Sequence, residues 1–249
     1  MKCLVDDNGI SCSNDEDKLR ALVDHNFFME DCQSPEVLEL DGLEEVPNLE
    51  ELEGKVREAL QGTSNRSAPG PDGISYRFIK AVLDTKLGRE LIAEVAMCLR
   101  EGRIPEDWQL SKVVFIPKPS KNHQAAKGWC PINLINCIGK LVEKVVADEL
   151  QMAGLFHEGQ YGRIKGRSAI EAMMRVLTRA QRAIARGGQA VWLMEDVKGG
   201  FNNVIGHEVL DTVAKSSKKG WCKWLAHFFR QGCSKWNGTE RSGVGGRLM

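Results

Sequence analysis

The stretch SAPGPDGIS, residues 67–75, limits this chain most. Pro69 and Pro71 each fix φ and remove a backbone donor, while Gly70 and Gly73 permit turns. No helix runs through such a segment. The residues before and after it therefore form separate elements, and Ser75 stands where it can cap a new helix, YRFIKAVL.

On the N-terminal side, residues 15–29 carry Leu19, Leu22, Val23 and Phe27 at helical spacing. An acid-rich linker with Pro35 and Pro47 follows. Residues 48–61 read as a second helix, with Asn48 as N-cap and Glu51 three residues on. Beyond the proline segment, a helix is expected over 87–101. Residues 112–119, KVVFIPKP, read as a buried strand stopped by proline. Residues 132–154 become helical from about Gly139, with Leu141, Val145, Val146 and Leu150 on one stripe. Residues 168–188 form a helix ending in glycines, with Arg175, Arg179, Arg182 and Arg186 on one face. Residues 189–196, QAVWLMED, read as a buried strand ending on an acid, followed by helices near 206–215 and 218–230. The tail lacks periodicity and reads as disordered.

The formal net charge of zero conceals an asymmetry. Residues 1–60 hold 17 acidic and 5 basic residues, a net of −12; the remaining 29 basic and 17 acidic residues give +12. A basic body behind an acidic leader points to a polyanionic partner such as nucleic acid, with solvated surface charge as the alternative. No apolar run approaches the ~20 residues of a membrane span, and the polar, acidic N-terminus is no secretory signal. The expectation is a nuclear or cytoplasmic protein, not a secreted one. The eight cysteines show no C-x-x-C pair and no regular metal spacing, which reads as reduced thiols, with a disulfide framework as the alternative.

Three constellations could carry chemistry. VWLMEDVKGGFNNV delivers Asp196 at a strand exit, where a carboxylate suits Mg²⁺. A helix-capping acid is the plainer reading. Lys118 and Lys121 follow the strand at 112–119 and could grip a triphosphate as point charges. GRIKGRS, 162–168, places Arg163, Lys165 and Arg167 in a glycine-rich loop that leads into the arginine-faced helix. Seven basic residues and one acid between 161 and 186 could track a phosphate backbone. No Walker pattern and no nucleophile–histidine pairing stands out.

Taken in order, these segments resemble the reverse transcriptase of non-LTR (LINE-type) retrotransposons. The matching pieces are SAPGPDGIS; Trp108 with KVVFIPKPSK; CPINLINCIGKLVEKVVADEL; GQYGRIKGRSAIEA; and DVKGGFNNV. The likeness covers about residues 15–230, and the spelling is closest to that of fungal elements. It implies an α+β, helix-rich fold: the fingers plus an incomplete palm of a right-hand polymerase. The divisions it implies are an acidic helical leader, 1–62; a fingers-like region, 63–188; a palm portion, 189–235; and a tail, 236–249.

The resemblance also implies roles. Asp196 would be the catalytic, Mg²⁺-binding aspartate. Phe201, Val197 and Lys118 would contact the incoming deoxynucleotide, with Phe201 excluding a 2′-hydroxyl. Pro69, Gly70, Asp72 and Gly73 would line the template path, and Arg163, Lys165, Arg167, Arg175 and Arg179 would hold nucleic acid. The implied partners are an RNA template, a DNA primer and dNTP, with no membrane and no evident protein partner. Departures stand beside these matches. Cys130 replaces an expected arginine, Gly200 an alanine and Asn202 an aspartate. The last proline is Pro131 and no aspartate follows Asp211, so the P-Q-G turn and the Tyr-x-Asp-Asp hairpin of the family do not occur. The expectation is a truncated enzyme, inactive on its own and marginally soluble; the alternative is a non-catalytic nucleic-acid-binding remnant.

Overall fold

A computed structural model of the chain describes residues 4–26, 47–197, 204–216 and 221–234. In chain order the elements are β1 (Leu4–Val5), β2 (Ser11–Cys12), α1 (Asp15–Asn26), α2 (Leu49–Gln61), α3 (Tyr76–Val82), α4 (Lys86–Glu101), α5 (Glu106–Gln109), β3 (Ser111–Pro117), β4 (Trp129–Ile135), α6 (Cys137–Met152), α7 (Ala169–Ala185), α8 (Gly206–Ala214) and α9 (Cys222–Ser234). The mixture of helices and two small antiparallel sheets fits the α+β expectation.

Local chemistry places the helix starts. The Asn48 side chain accepts the Glu51 backbone N–H at 2.9 Å, as its spacing predicts. Ser75 does the same for Phe78, Thr85 for Gly88 and Ser168 for Glu171. Each such cap is worth about 1 kcal/mol. Gly102 ends α4 in the left-handed conformation, φ +66°, which a side chain would resist.

The main core gathers the apolar stripes of α2, α3, α4, α6, α8 and α9. Leu52, Val56 and Leu60 of α2 meet Ile92, Val95 and Leu99 of α4 and Leu141, Val142 and Val145 of α6. Burying such side chains stabilises by about 1.5–3 kcal/mol each. The α2 helix of the acidic leader thus shares a core with the basic body. Close approach of α6 to the α5 turn depends on Gly139, where a Cβ would press on the Trp108 carbonyl. A smaller cluster joins Leu4, Cys12 and Leu22 to Ala126 and Trp129, with Phe115 against it.

Several sequence expectations change here. The hairpin of β3 and β4 pairs Ser111 with Ile135 through to Pro117 with Trp129. Strand β4 was not expected, and the helix after it starts at Cys137, two residues before the expected Gly139. Strand β3 is half-buried rather than buried, because among the described residues it pairs only with β4, and Ile116 is left exposed. Residues 189–197 form no strand and are exposed, Val191 at 91% and Met194 at 88%. No strand lies beside them among the described residues, and a lone strand has no partner for its backbone groups. The tail, 236–249, lies outside the described residues.

Candidate nucleic-acid interface

Loop 67–75 is held by polar pins and by Ile74, which packs against the main core. Asn136, 4% exposed, sits between β4 and α6. Its side chain does not cap α6. Instead Nδ2 donates to the Asp107 carbonyl at 2.6 Å, and Oδ1 accepts the Asp72 N–H at 3.4 Å. A Cβ at Gly70 would collide with the Asn136 side chain and backbone, so glycine is required there. Gly73 turns the chain at φ +70°, and Asp72 Oδ1 accepts the Ile74 N–H at 3.0 Å. Two ammonium groups close the edges. Lys140 donates to the Ala68 carbonyl at 2.9 Å and Lys80 to the Thr63 carbonyl at 2.7 Å. Pro69 and Gly70 are half-buried in this cradle, whereas Pro71, Asp72 and Gly73 face outward.

A second constellation forms where residues 157–167 meet α7. Arg167 Nη1 lies 2.5–3.1 Å from the carbonyl oxygens of His157, Glu158 and Gln160. Its guanidinium stands 5.9 Å from the Tyr161 ring centroid. Arg175 donates to the Tyr161 hydroxyl at 3.1 Å and to Glu158 Oε1 at 3.0 Å. These two arginines are occupied in shaping the loop. Arg163, Lys165 and Arg179 are exposed, and their cationic groups make no hydrogen bond or ion pair among the described residues. The residues predicted from sequence thus divide into two that organise the loop and three whose charge faces solvent.

The α7 helix carries its arginines opposite an apolar stripe of Ile170, Met173, Met174, Leu177 and Ile184. None of its residues is buried. A groove of about 540 Å³ between α2, α6 and the loop is lined by Lys55, Glu58, Glu149, Ile164, Lys165 and Arg167, among others. Glu149, 1% exposed, meets Lys55 Nζ at 2.5 Å, and Glu51 adds a contact at 3.1 Å. Burial works to lower the Lys55 pKa, but its two carboxylate partners outweigh that and raise it.

Lys118 turns its ammonium onto the Lys127 carbonyl at 3.1 Å, within the β3–β4 loop. Asp196 and Val197 lie in the exposed stretch after α7, and Phe201 lies outside the described residues. Among the described residues no three His, Cys, Asp or Glu side chains group as a metal site. Asp196 alone does not fit a two-ion site, which needs several carboxylates. Sequence reading missed Asn136, Lys80 and Lys140. An asparagine before a helix signals a cap, and nothing in its type reveals that its amide reaches sideways to other loops.

Residues 116–245, just over half of the chain, match the family described as reverse transcriptase (RNA-dependent DNA polymerase). Among curated relatives, the chain is 30% identical over 102 residues to the Pol polyprotein of the type-1 retrotransposable element R2 of Popillia japonica, covering 40% of this chain and 13% of that protein. It is 23% identical over 186 residues to that of element R1 of Bradysia coprophila, covering 73% and 18%. It is 27% identical over 158 residues to the RNA-directed DNA polymerase of the transposon X-element of Drosophila melanogaster, covering 60% and 17%. The chain therefore spans less than a fifth of each relative. All three come from insects and give no support to a fungal origin. No described helix is long and apolar enough to cross a membrane.

Proposed function

The chain belongs to the reverse transcriptase (RNA-dependent DNA polymerase) family, and we propose that it is the fingers-side portion of such an enzyme, joined to the start of the palm, whose own task is to grip the template–primer. The observation that carries this is the partition of the basic residues. Arg167 and Arg175 build the loop, and Arg163, Lys165 and Arg179 face outward with no partner among the described residues. Fixed cations on a rigid loop attract a phosphate backbone and release its counterions. On this reading the pinned turn at Pro69–Gly73 borders the template, and Lys118, Val197 and Phe201 belong to the nucleotide side.

The whole enzyme's reaction, RNA-templated DNA synthesis from dNTPs with divalent metal, is proposed for the longer polypeptide. Asp196 would give one carboxylate to its Mg²⁺; since the described residues form no cluster of three or more His, Cys, Asp or Glu side chains, no step is assigned through the metal here. That same observation favours a second reading, a segment that binds nucleic acid without polymerising.

The test is a labelled RNA–DNA template–primer, titrated with the 249-residue chain over a salt series, then supplied with dNTPs and Mg²⁺. Binding that falls steeply with salt is expected; on a duplex the logarithmic slope is about −0.9 per neutralised phosphate, so three cations give roughly −2.7. Salt-insensitive binding, or none, overturns the proposal. Primer extension assigns polymerisation to this segment as well and overturns the second reading, whereas binding without extension is the outcome both readings expect of this chain by itself.

A further inference from the structure

The basic loop has a clamp outside the residues already assigned. Gln151, in the last turn of α6, reaches the loop with both ends of its amide. Nε2 donates to the Arg163 carbonyl at 3.2 Å, and Oε1 accepts the Lys165 N–H at 2.9 Å. The pairing fixes the orientation of the amide, because a carbonyl faces one end and an N–H the other. Between the two anchor points Ile164 lines the groove beside Met152 and Val145. Arg163 sits at φ +62°, in the left-handed region that side chains resist, and Gly166 follows at φ +79°. A non-glycine residue is disfavoured in that conformation, and the two hydrogen bonds offset the cost. The far end of the loop is tied by Arg167 to the His157, Glu158 and Gln160 carbonyls.

We propose that Gln151 is a positioning residue for phosphate binding: by holding the Arg163 and Lys165 backbone, it presents their two cations as a preformed pair to adjacent phosphodiesters of a nucleic-acid strand. The inference rests on the nucleic-acid reading above. It differs from a stability role in its logic, since Gln151 acts only through two side chains it does not touch. Preorganisation lowers the ordering cost that flexible lysine and arginine side chains incur on binding.

The test uses the full chain, fluorescein-labelled single-stranded RNA and a salt series. Four proteins are compared: wild type, Gln151→Ala, the pair Arg163→Ala with Lys165→Ala, and the triple variant. The paired variant should lose about 1.4 from the logarithmic salt slope, at about 0.7 per phosphate. Gln151→Ala should weaken binding roughly fivefold, the equivalent of about 1 kcal/mol. In the paired background it should cause no further loss. An equal loss in both backgrounds, or none in the wild type, overturns the proposal. Hydrogen exchange at the Lys165 amide, measured without RNA, gives a second readout. It should be slow in the wild type and fast in Gln151→Ala; unchanged exchange overturns the clamp itself. If the wild type binds no RNA, the phosphate role falls with the reading it rests on, and altered exchange then shows a clamp that serves only the loop.

Discussion

Glu143 lies on α6 one turn after Lys140, and burial raises its carboxyl above the ordinary 4.5 while Lys140 opposes the rise. The folded chain therefore keeps this proton to a higher pH than the unfolded chain does. Whatever stability accompanies the neutral carboxyl is complete below 4.5 and is lost as pH rises through the raised value. Glu143→Gln should accordingly raise the urea midpoint at pH 8 and leave it unchanged at pH 4. A midpoint that falls at pH 8 would show that the charged form is favoured. The arginines teach a related lesson about what a sequence conceals. Seven basic residues between 161 and 186 look alike on the page. Their division depends on where the Glu158 carboxylate, the Tyr161 hydroxyl and three carbonyls fall once the loop has closed. Burial pushes the Cys98 thiol up to about 12, so it stays protonated and a poor nucleophile.

Among the elements, α7 stands apart. It has the alternation of apolar and basic faces that made it readable from sequence, and Ser168 caps it, yet none of its residues is buried. The α6 helix, by contrast, buries Leu141, Val142, Val145 and Val146 on its apolar stripe. A helix without tertiary burial holds its hydrogen bonds only by propensity and capping. The α7 amides should exchange about a hundredfold faster than those of α6, a difference of ~3 kcal/mol in opening free energy. Equal protection would mean that α7 is covered in solution. Helices were legible because their period and caps lie within a few residues of one another. Strands were less so. Residues 132–138 read as an approach to a helix, but 132–135 belong to a strand, 129–135, that pairs along the whole of 111–117. Residues 189–196 have the apolar character of a strand and lack one here, because a strand is defined by a neighbour that its own residues do not encode.

For the molecule as a whole, two apolar surfaces lie open together in sequence: the stripe Ile170, Met173, Met174 on α7 and the run Val191, Trp192, Leu193, Met194 that follows. Contiguous exposure of this kind drives association. Light scattering on the purified chain should show mass rising with concentration, and the double substitution Met173→Lys, Met174→Lys should reduce it. A monomer at every concentration would count against this, and against the marginal solubility that the sequence predicts. The docking of loop 67–75 also sets an order on synthesis. Gly70 and Asp72 find their partner only when Asn136 has been added, and α2 meets α6 later still. At roughly 5–20 residues per second, a nascent chain waits several seconds between the addition of Asp72 and that of Asn136. During that interval the turn is shaped by its own prolines and glycines alone. Their stiffness is thus of most use before the protein is finished, when it keeps a solitary loop close to the form its late partner will accept.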